Sequence, residues 1–207
     1  MVDTQIKPRG IDDAGVLSAM RKVPRERFVE EKLRNTAYED RPLPIGEDQT
    51  ISQPFIVALM TMHLKLHGGE KVLEIGTGCG YQTAILAELG GQIYSVERHI
   101  GLAQKAGQLL EEMGYGNVKV FAGDGTEGLE KHAPYQRIMV TAAAPVIPSV
   151  LVDQLDENGV LVVPVGSFYS QDLKVIEKKE GRIFTRDEGA CVFVPLIGKY
   201  GWHKNDL

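Results

Sequence analysis

Between Val72 and Tyr81 the chain reads Val-Leu-Glu-Ile-Gly-Thr-Gly-Cys-Gly-Tyr, an apolar run ending in three closely spaced glycines. That pattern puts a tight turn between a buried strand and a helix. Gly76 and Gly78 can take backbone angles closed to other residues and let a ligand approach the main chain. In the fingerprint that receives a pyrophosphate, the third glycine comes one place later, as G-x-G-x-x-G. Here the spacing is G-x-G-x-G, with Glu74 two residues before the first glycine. An acid at that strand end suits a cationic amino group, as in S-adenosylmethionine (AdoMet), which carries no phosphate. A turn without a ligand would require neither the third glycine nor the acid.

Two further carboxylates fall at matching places. Glu97 closes the apolar run Ile-Tyr-Ser-Val-Glu, about twenty residues beyond Gly76, where an acid can accept both ribose hydroxyls. Asp124, in Gly123-Asp124-Gly125, ends the next run and could reach an adenine amino group, although an ordinary Asp-Gly turn explains it equally well. Together these acids favour a nucleoside ligand. The five histidines (63, 67, 99, 132 and 203) show no metal-ligand spacing, and His63 with His67 reads as a solvated helix face. No metal is expected.

The elements that must position these residues follow from periodicity. Residues 11–33 read as short helices interrupted at Pro24, and residues 38–50, with prolines and a glycine among charges, as a loop. Ser52-Gln53-Pro54 opens a helix through about Leu66, with Ser52 as N-cap and Phe55, Leu59, Met62 and Leu66 along one face. From Lys71, strands at Val72–Ile75, Ile93–Val96, Val118–Phe121, Ile138–Thr141 and Val160–Val165 alternate with helices at 81–89, 99–113 and 148–156. That alternation predicts an α/β fold with a doubly wound, mostly parallel sheet, Rossmann-like, preceded by N-terminal helices. Strands at Leu173–Lys178, Arg182–Thr185 and Val192–Leu196, with a hairpin turning at Glu180-Gly181, would form a C-terminal β extension. Tyr200 and Trp202 either cover the ligand or pack on the body.

At 207 residues, 43% of them hydrophobic and 25% charged, the chain suits one domain with an ordinary core. We divide it into a substrate-side segment (1–66), a cofactor-binding core (67–166) and C-terminal strands (167–207). A net charge of −5 argues against nucleic acid as the main partner. There is no apolar run of transmembrane length and no signal-peptide pattern, so no membrane partner is expected and the default location is the cytoplasm. Cys79 and Cys191 make neither a disulfide framework nor a zinc site.

With these residues placed, the chain resembles the protein-L-isoaspartate (D-aspartate) O-methyltransferases from Val23-Pro24-Arg25 to about Gly198. The carrying segments are Pro42–Gly46, Gln49-Thr50-Ile51-Ser52-Gln53-Pro54, the glycine motif, Gly123–Gly125, Thr141–Pro145, Leu161–Gly166 and Phe193–Leu196. The glycine motif is shared widely among methyltransferases, whereas Thr-Ile-Ser-Gln-Pro separates this family from its relatives. Asp48 stands where the family usually has glycine, and Gln136 where it has aspartate. The resemblance implies a Rossmann-like AdoMet-dependent methyltransferase fold and methyl transfer to the free carboxylate of isoaspartyl residues in damaged proteins and peptides, leaving S-adenosyl-L-homocysteine (AdoHcy). It implies Ser52 as the active-site residue. The expected cofactor set is Gln49, Thr50, Ile51, Glu74, Gly76, Thr77, Gly78, Gly80, Glu97, Arg98, Asp124 and Gly125. Thr50, Ser52, Val194, Pro195 and Leu196 would meet the substrate, and the enzyme would act as a monomer.

A carboxylate is already ionised at neutral pH, so its methylation needs no general base. The protein's task is to position the acceptor and exclude water, and a Ser52 hydroxyl can orient a carboxylate without quenching it. The apolar run ending at Pro195 suits an edge, so the substrate is expected to lie extended along Val192–Gly198. A nucleic-acid methyltransferase is disfavoured because Thr141–Pro145 lacks the Asn/Asp-Pro-Pro-aromatic pattern of amino methylation. An NAD-linked dehydrogenase is disfavoured by the early third glycine, and a non-catalytic AdoMet-binding module remains a third alternative.

Overall fold

The computed structural model describes residues 1–203 of the chain; the predicted C-terminal segment therefore extends, at 204–207, outside the described residues. Two helical turns over residues 2–9 lead into α1 (Ala14–Lys22), where the Asp13 side chain accepts from the Val16 N–H and satisfies an otherwise orphaned donor. Val23-Pro24 ends that helix, and short helical turns follow at Arg25–Phe28 and Glu31–Thr36.

The stretch 38–50 is not simply a loop. It contains an antiparallel hairpin of β1 (Leu43–Gly46) and β2 (Gln49–Ile51). Pro44 is tolerated within β1 because each strand has only one neighbour to satisfy. The turn residues Glu47 and Asp48 sit at φ +52° and +55°, which explains the family's glycine at the second position. Helix α2 (Pro54–Leu64) has Gln53, not Ser52, at its N-cap, without a side-chain cap bond. Asp40 supplies the missing acceptor from a distant loop, its Oδ1 taking the Phe55 N–H at 3.1 Å. The helix stops at Leu64 because Lys65 turns left-handed ahead of Gly68-Gly69. Pro54, Val57, Ala58, Met60, Thr61 and Leu64 are buried, not the predicted stripe. An all-apolar helix gives no stripe to read.

The alternating region builds β3 (Lys71–Ile75), α3 (Tyr81–Leu89), β4 (Gln92–Glu97), α4 (Ile100–Glu112), β5 (Val118–Ala122), β6 (Tyr135–Val140), α5 (Ser149–Asp153) and β7 (Leu155–Gly166). The helix expected over 148–156 is cut short because Leu155 already pairs with Tyr135 in the sheet. β8 (Gln171–Lys179) and β9 (Arg182–Cys191) complete a seven-stranded sheet in the order β5-β4-β3-β6-β7-β8-β9. The first five of these strands run parallel, β8 is antiparallel to β7, and β9 is antiparallel to β8. The Glu180-Gly181 turn is as expected, both residues having positive φ between the paired Lys179 and Arg182.

Val192–Leu196 is not a further strand. It leaves β9 and folds back over the end of β6, where Ala143 donates to the Val194 carbonyl and accepts from the Leu196 N–H, both at 2.8 Å. Trp202 packs on the body, its indole N–H bonded to the Ala143 carbonyl and its ring against Phe168. His63, read as solvated, instead faces Glu188 of β9 at 3.4 Å. Gln136 is the second residue of β6 and its side-chain oxygen accepts the Lys71 N–H, tying two strand starts together far from the glycine loop.

Candidate active site

The strand order reverses beside β3: β4 and β5 lie to one side, β6 and β7 to the other. At such a switch point the loops after neighbouring parallel strands part and leave a crevice at the carboxyl ends. A cleft of about 780 Å³, open solvent at its mouth included, lies there. Its walls come from the glycine loop, the end of β4, the start of the β6–α5 connection, the β2–α2 junction and the segment 194–197.

The glycine loop takes its shape from close contacts. Gly76, Gly78 and Gly80 all have positive φ. A side chain on Gly76 would also collide with the Thr141 hydroxyl, which donates to the Ile75 and Gly76 carbonyls. Gly125 has no room either, since a Cβ would fall 2.5 Å from Ile75 Cγ2. Glu97, 4% exposed, borders the cleft from the end of β4. Its Oε2 accepts the Gly78 N–H and its Oε1 the His99 N–H, each at 2.9 Å. The carboxylate is thus held still by two main-chain donors while lone pairs remain for a ligand.

Gln49, Thr50, Ile51, Ser52, Gly76, Thr77, Gly78, Glu97, Arg98, Gly125, Val194, Pro195 and Leu196 all border this one cleft. Three of the expected residues do not. Glu74 is fully buried beneath the loop, its Oε2 accepting from the Thr83 and Ser95 hydroxyls at 2.5 Å. Side chains alternate along a strand, so Glu74 points into the layer under α3 and away from the crevice. Burial raises its pKa to about 7, against the lowering effect of those two hydroxyls. Gly80 caps α3, and a side chain there would press on Leu110 and Ala106.

Asp124 borders a shallow adjoining hollow with Arg98, Ile100 and Gly198. Its Oδ1 accepts from the Thr126 N–H and hydroxyl, and its Oδ2 from the Lys199 N–H at 2.8 Å. Burial pushes its pKa up, but these donors outweigh it and hold the carboxyl below its ordinary value. Three donors thus already meet this carboxylate, and one of them ties it to the tail at Lys199.

Sequence reasoning left out Val57, Tyr81, Gln82, Thr141 and Ala142, which also border the cleft. The Thr141–Pro145 segment carried a signal as a family motif; Tyr81 and Gln82 follow the glycine loop directly. Val57 carried none, since nothing separates it from other apolar helix residues. Cys79 borders the cleft too, yet burial pushes its thiol up to about 11, so it stays protonated.

The protein-L-isoaspartate(D-aspartate) O-methyltransferase family profile matches residues 1–201. A protein-L-isoaspartate O-methyltransferase of Methanoculleus marisnigri is 54% identical over 202 residues, covering 98% of this chain and 92% of that protein. Among solved structures, a protein-L-isoaspartate O-methyltransferase superposes with a TM-score of 0.85 at 30% identity over 94% of this chain. The present chain spans 64% of the length of that one. A Plasmodium falciparum chain, described as a protein-L-isoaspartate O-methyltransferase in complex with S-adenosyl-L-homocysteine, gives 0.79 at 28% identity, covering 92% and 94% of the two chains.

Proposed function

On the premise that this chain belongs to the protein-L-isoaspartate (D-aspartate) O-methyltransferase family, we propose how its cleft performs that family's reaction. The enzyme transfers a methyl group from AdoMet to the free carboxylate of L-isoaspartyl residues in damaged proteins and peptides. The observation that carries the assignment of roles is the meeting of two walls. Thr50, Ile51 and Ser52, from the family's distinguishing segment, stand on the same cleft as the glycine loop and Glu97.

The residues present fit the cofactor. Gly76 and Gly78 keep the loop bare of side chains, and Glu97 is fixed to accept from ribose hydroxyls. Thr77, Arg98, Gly125, Gln49, Thr50 and Ile51 complete the enclosure. Glu74 contributes from beneath by holding Ser95, whose hydroxyl lies 2.5 Å from that of Thr77. Asp124 contributes by fastening the tail that borders the cleft at Leu196 and Ile197. When bound, AdoMet supplies an electrophilic methyl on a sulfonium. No base is required of the protein.

Ser52 donates to the acceptor carboxylate and turns it toward the methyl. Thr50, Val194, Pro195 and Leu196 hold the substrate's main chain on either side. The mode of contact differs from simple strand addition along 192–198, because Val194 and Leu196 have already spent a carbonyl and an N–H on Ala143. Substrate must therefore use the opposite edge of that segment or its side chains.

We read the chain as a single domain in which the cleft lies between residues of the segment 1–66 and the core 67–166, with Val194–Ile197 closing one side. The enzyme acts as a cytoplasmic monomer in this proposal, and its net charge of −5 disfavours nucleic acid as the acceptor. Among the described residues no helix is long and apolar enough to cross a membrane. Methyl transfer from labelled AdoMet to an isoaspartyl peptide, with the aspartyl isomer as control, is the direct test. Label appearing equally in both peptides, or in neither, overturns the reading.

A further inference from the structure

Arg25 is the largest fully buried side chain that the cleft does not use, at 0% exposure. It sits on the short helical turn after Pro24, and its guanidinium reaches across to three other parts of the chain. Nε donates to the Ala37 carbonyl and Nη2 to the Ser52 carbonyl, both at 2.7 Å. The guanidinium carbon lies 4.8 Å from the centre of the Tyr81 ring. Ser52 and Tyr81 both border the cleft. The third nitrogen, Nη1, is buried with no partner of good hydrogen-bond geometry among the described residues.

A buried cation with an unmet donor is a poor structural plug, since an apolar side chain of similar volume usually serves stability as well or better. What the guanidinium offers instead is direction. Its planar fork donates along two fixed lines at once, which a lysine ammonium cannot reproduce. One of those lines ends on the main-chain carbonyl of the residue whose hydroxyl faces the acceptor. Fixing that carbonyl restrains the Ser52 backbone and so the direction of its Cα–Cβ bond, leaving Oγ only its few staggered positions. No capping bond does this for Ser52, because the helix begins one residue later.

We propose that Arg25 is a positioning residue for methyl transfer, setting the aim of Ser52 at the acceptor end of the cleft. The proposal rests on the role given to Ser52 above. The test is a double-mutant cycle of R25K and S52A, with R25Q as a second variant that keeps a planar donor. AdoHcy affinity by calorimetry and kcat and KM for an isoaspartyl peptide are read for each.

R25K is expected to lower kcat/KM for the peptide by about tenfold or more while AdoHcy affinity stays within about twofold. In the S52A background, R25K should add almost nothing, and R25Q should recover part of the loss in the Ser52 protein. A full, multiplicative loss in the S52A background overturns the proposal and leaves the Ser52 assignment standing. No effect of S52A alone overturns both. Failure of both Arg25 variants to fold, or loss of AdoHcy binding in step with turnover, makes Arg25 structural and overturns the proposal.

Discussion

At the scale of single residues, the same carboxylate chemistry has three different fates here. Glu97 is presented to the cleft on two main-chain donors. Replacing it with alanine removes a charged acceptor and frees the Gly78 amide as well. A loss of about 1.5–3 kcal/mol is typical for such a bond, so Glu97→Ala should weaken AdoHcy binding roughly 10- to 100-fold. Titration calorimetry giving an unchanged affinity removes Glu97 from the site. Asp124 is spent on Thr126 and Lys199. An asparagine amide there sets donor against donor, so Asp124→Asn should be nearly as damaging as Asp124→Ala. Each should cost about 1–3 kcal/mol of stability in urea unfolding. Intact stability with weakened AdoHcy binding would instead return Asp124 to the adenine. Glu74, the third acid, serves the layer beneath.

At the scale of elements, the β1–β2 hairpin is the piece that brings Gln49, Thr50 and Ile51 to the cleft. Its turn holds two non-glycine residues at positive φ, and each such residue carries strain of roughly 1–2 kcal/mol, less for aspartate. Asp48→Gly relieves part of this, and should raise stability by about 0.5–1 kcal/mol with turnover unchanged. Urea midpoints measure it; a lower midpoint would mean that Asp48 makes a contact outweighing the strain. The hairpin escaped sequence reasoning because charges and prolines read as loop. The Glu180-Gly181 hairpin did not, because alternating strands flank it and its turn ends in glycine.

At the scale of the whole molecule, the buried Glu74 makes stability depend on pH. Its folded pKa of about 7 stands above the ordinary 4.5. Between those values the unfolded chain releases the proton while the folded one keeps it. Stability is therefore greatest below about 4.5 as far as this group is concerned, falls as pH rises, and has lost its full share above about 7. The difference corresponds to roughly 3 kcal/mol. Glu74→Gln mimics the protonated acid and should flatten the dependence between pH 5 and 8. Parallel unfolding curves for the two proteins across that range would show that Glu74 is ionised in the fold.

What the sequence determined alone is what depends on near neighbours. Strand-helix alternation from Lys71, the glycine turn and the acid closing β4 are local patterns with local physical causes. They led to the sheet, to the crevice at its carboxyl ends and to the glycine loop and Glu97 on its walls, whereas Gln49–Ser52 and Val194–Leu196 were reached through the family resemblance. What only the tertiary structure decided depends on groups far apart in the chain. Asp40 caps α2 from a distant loop and displaces Ser52 from that role. Arg25 reaches 27 residues along the chain to hold the Ser52 carbonyl. The tail claims Asp124 across 75 residues. Glu74 turns from the cleft because pleating, and not position in a motif, sets the direction of a side chain. A buried donor or acceptor must find a partner wherever the packed chain supplies one, and that partner's identity has no local signature.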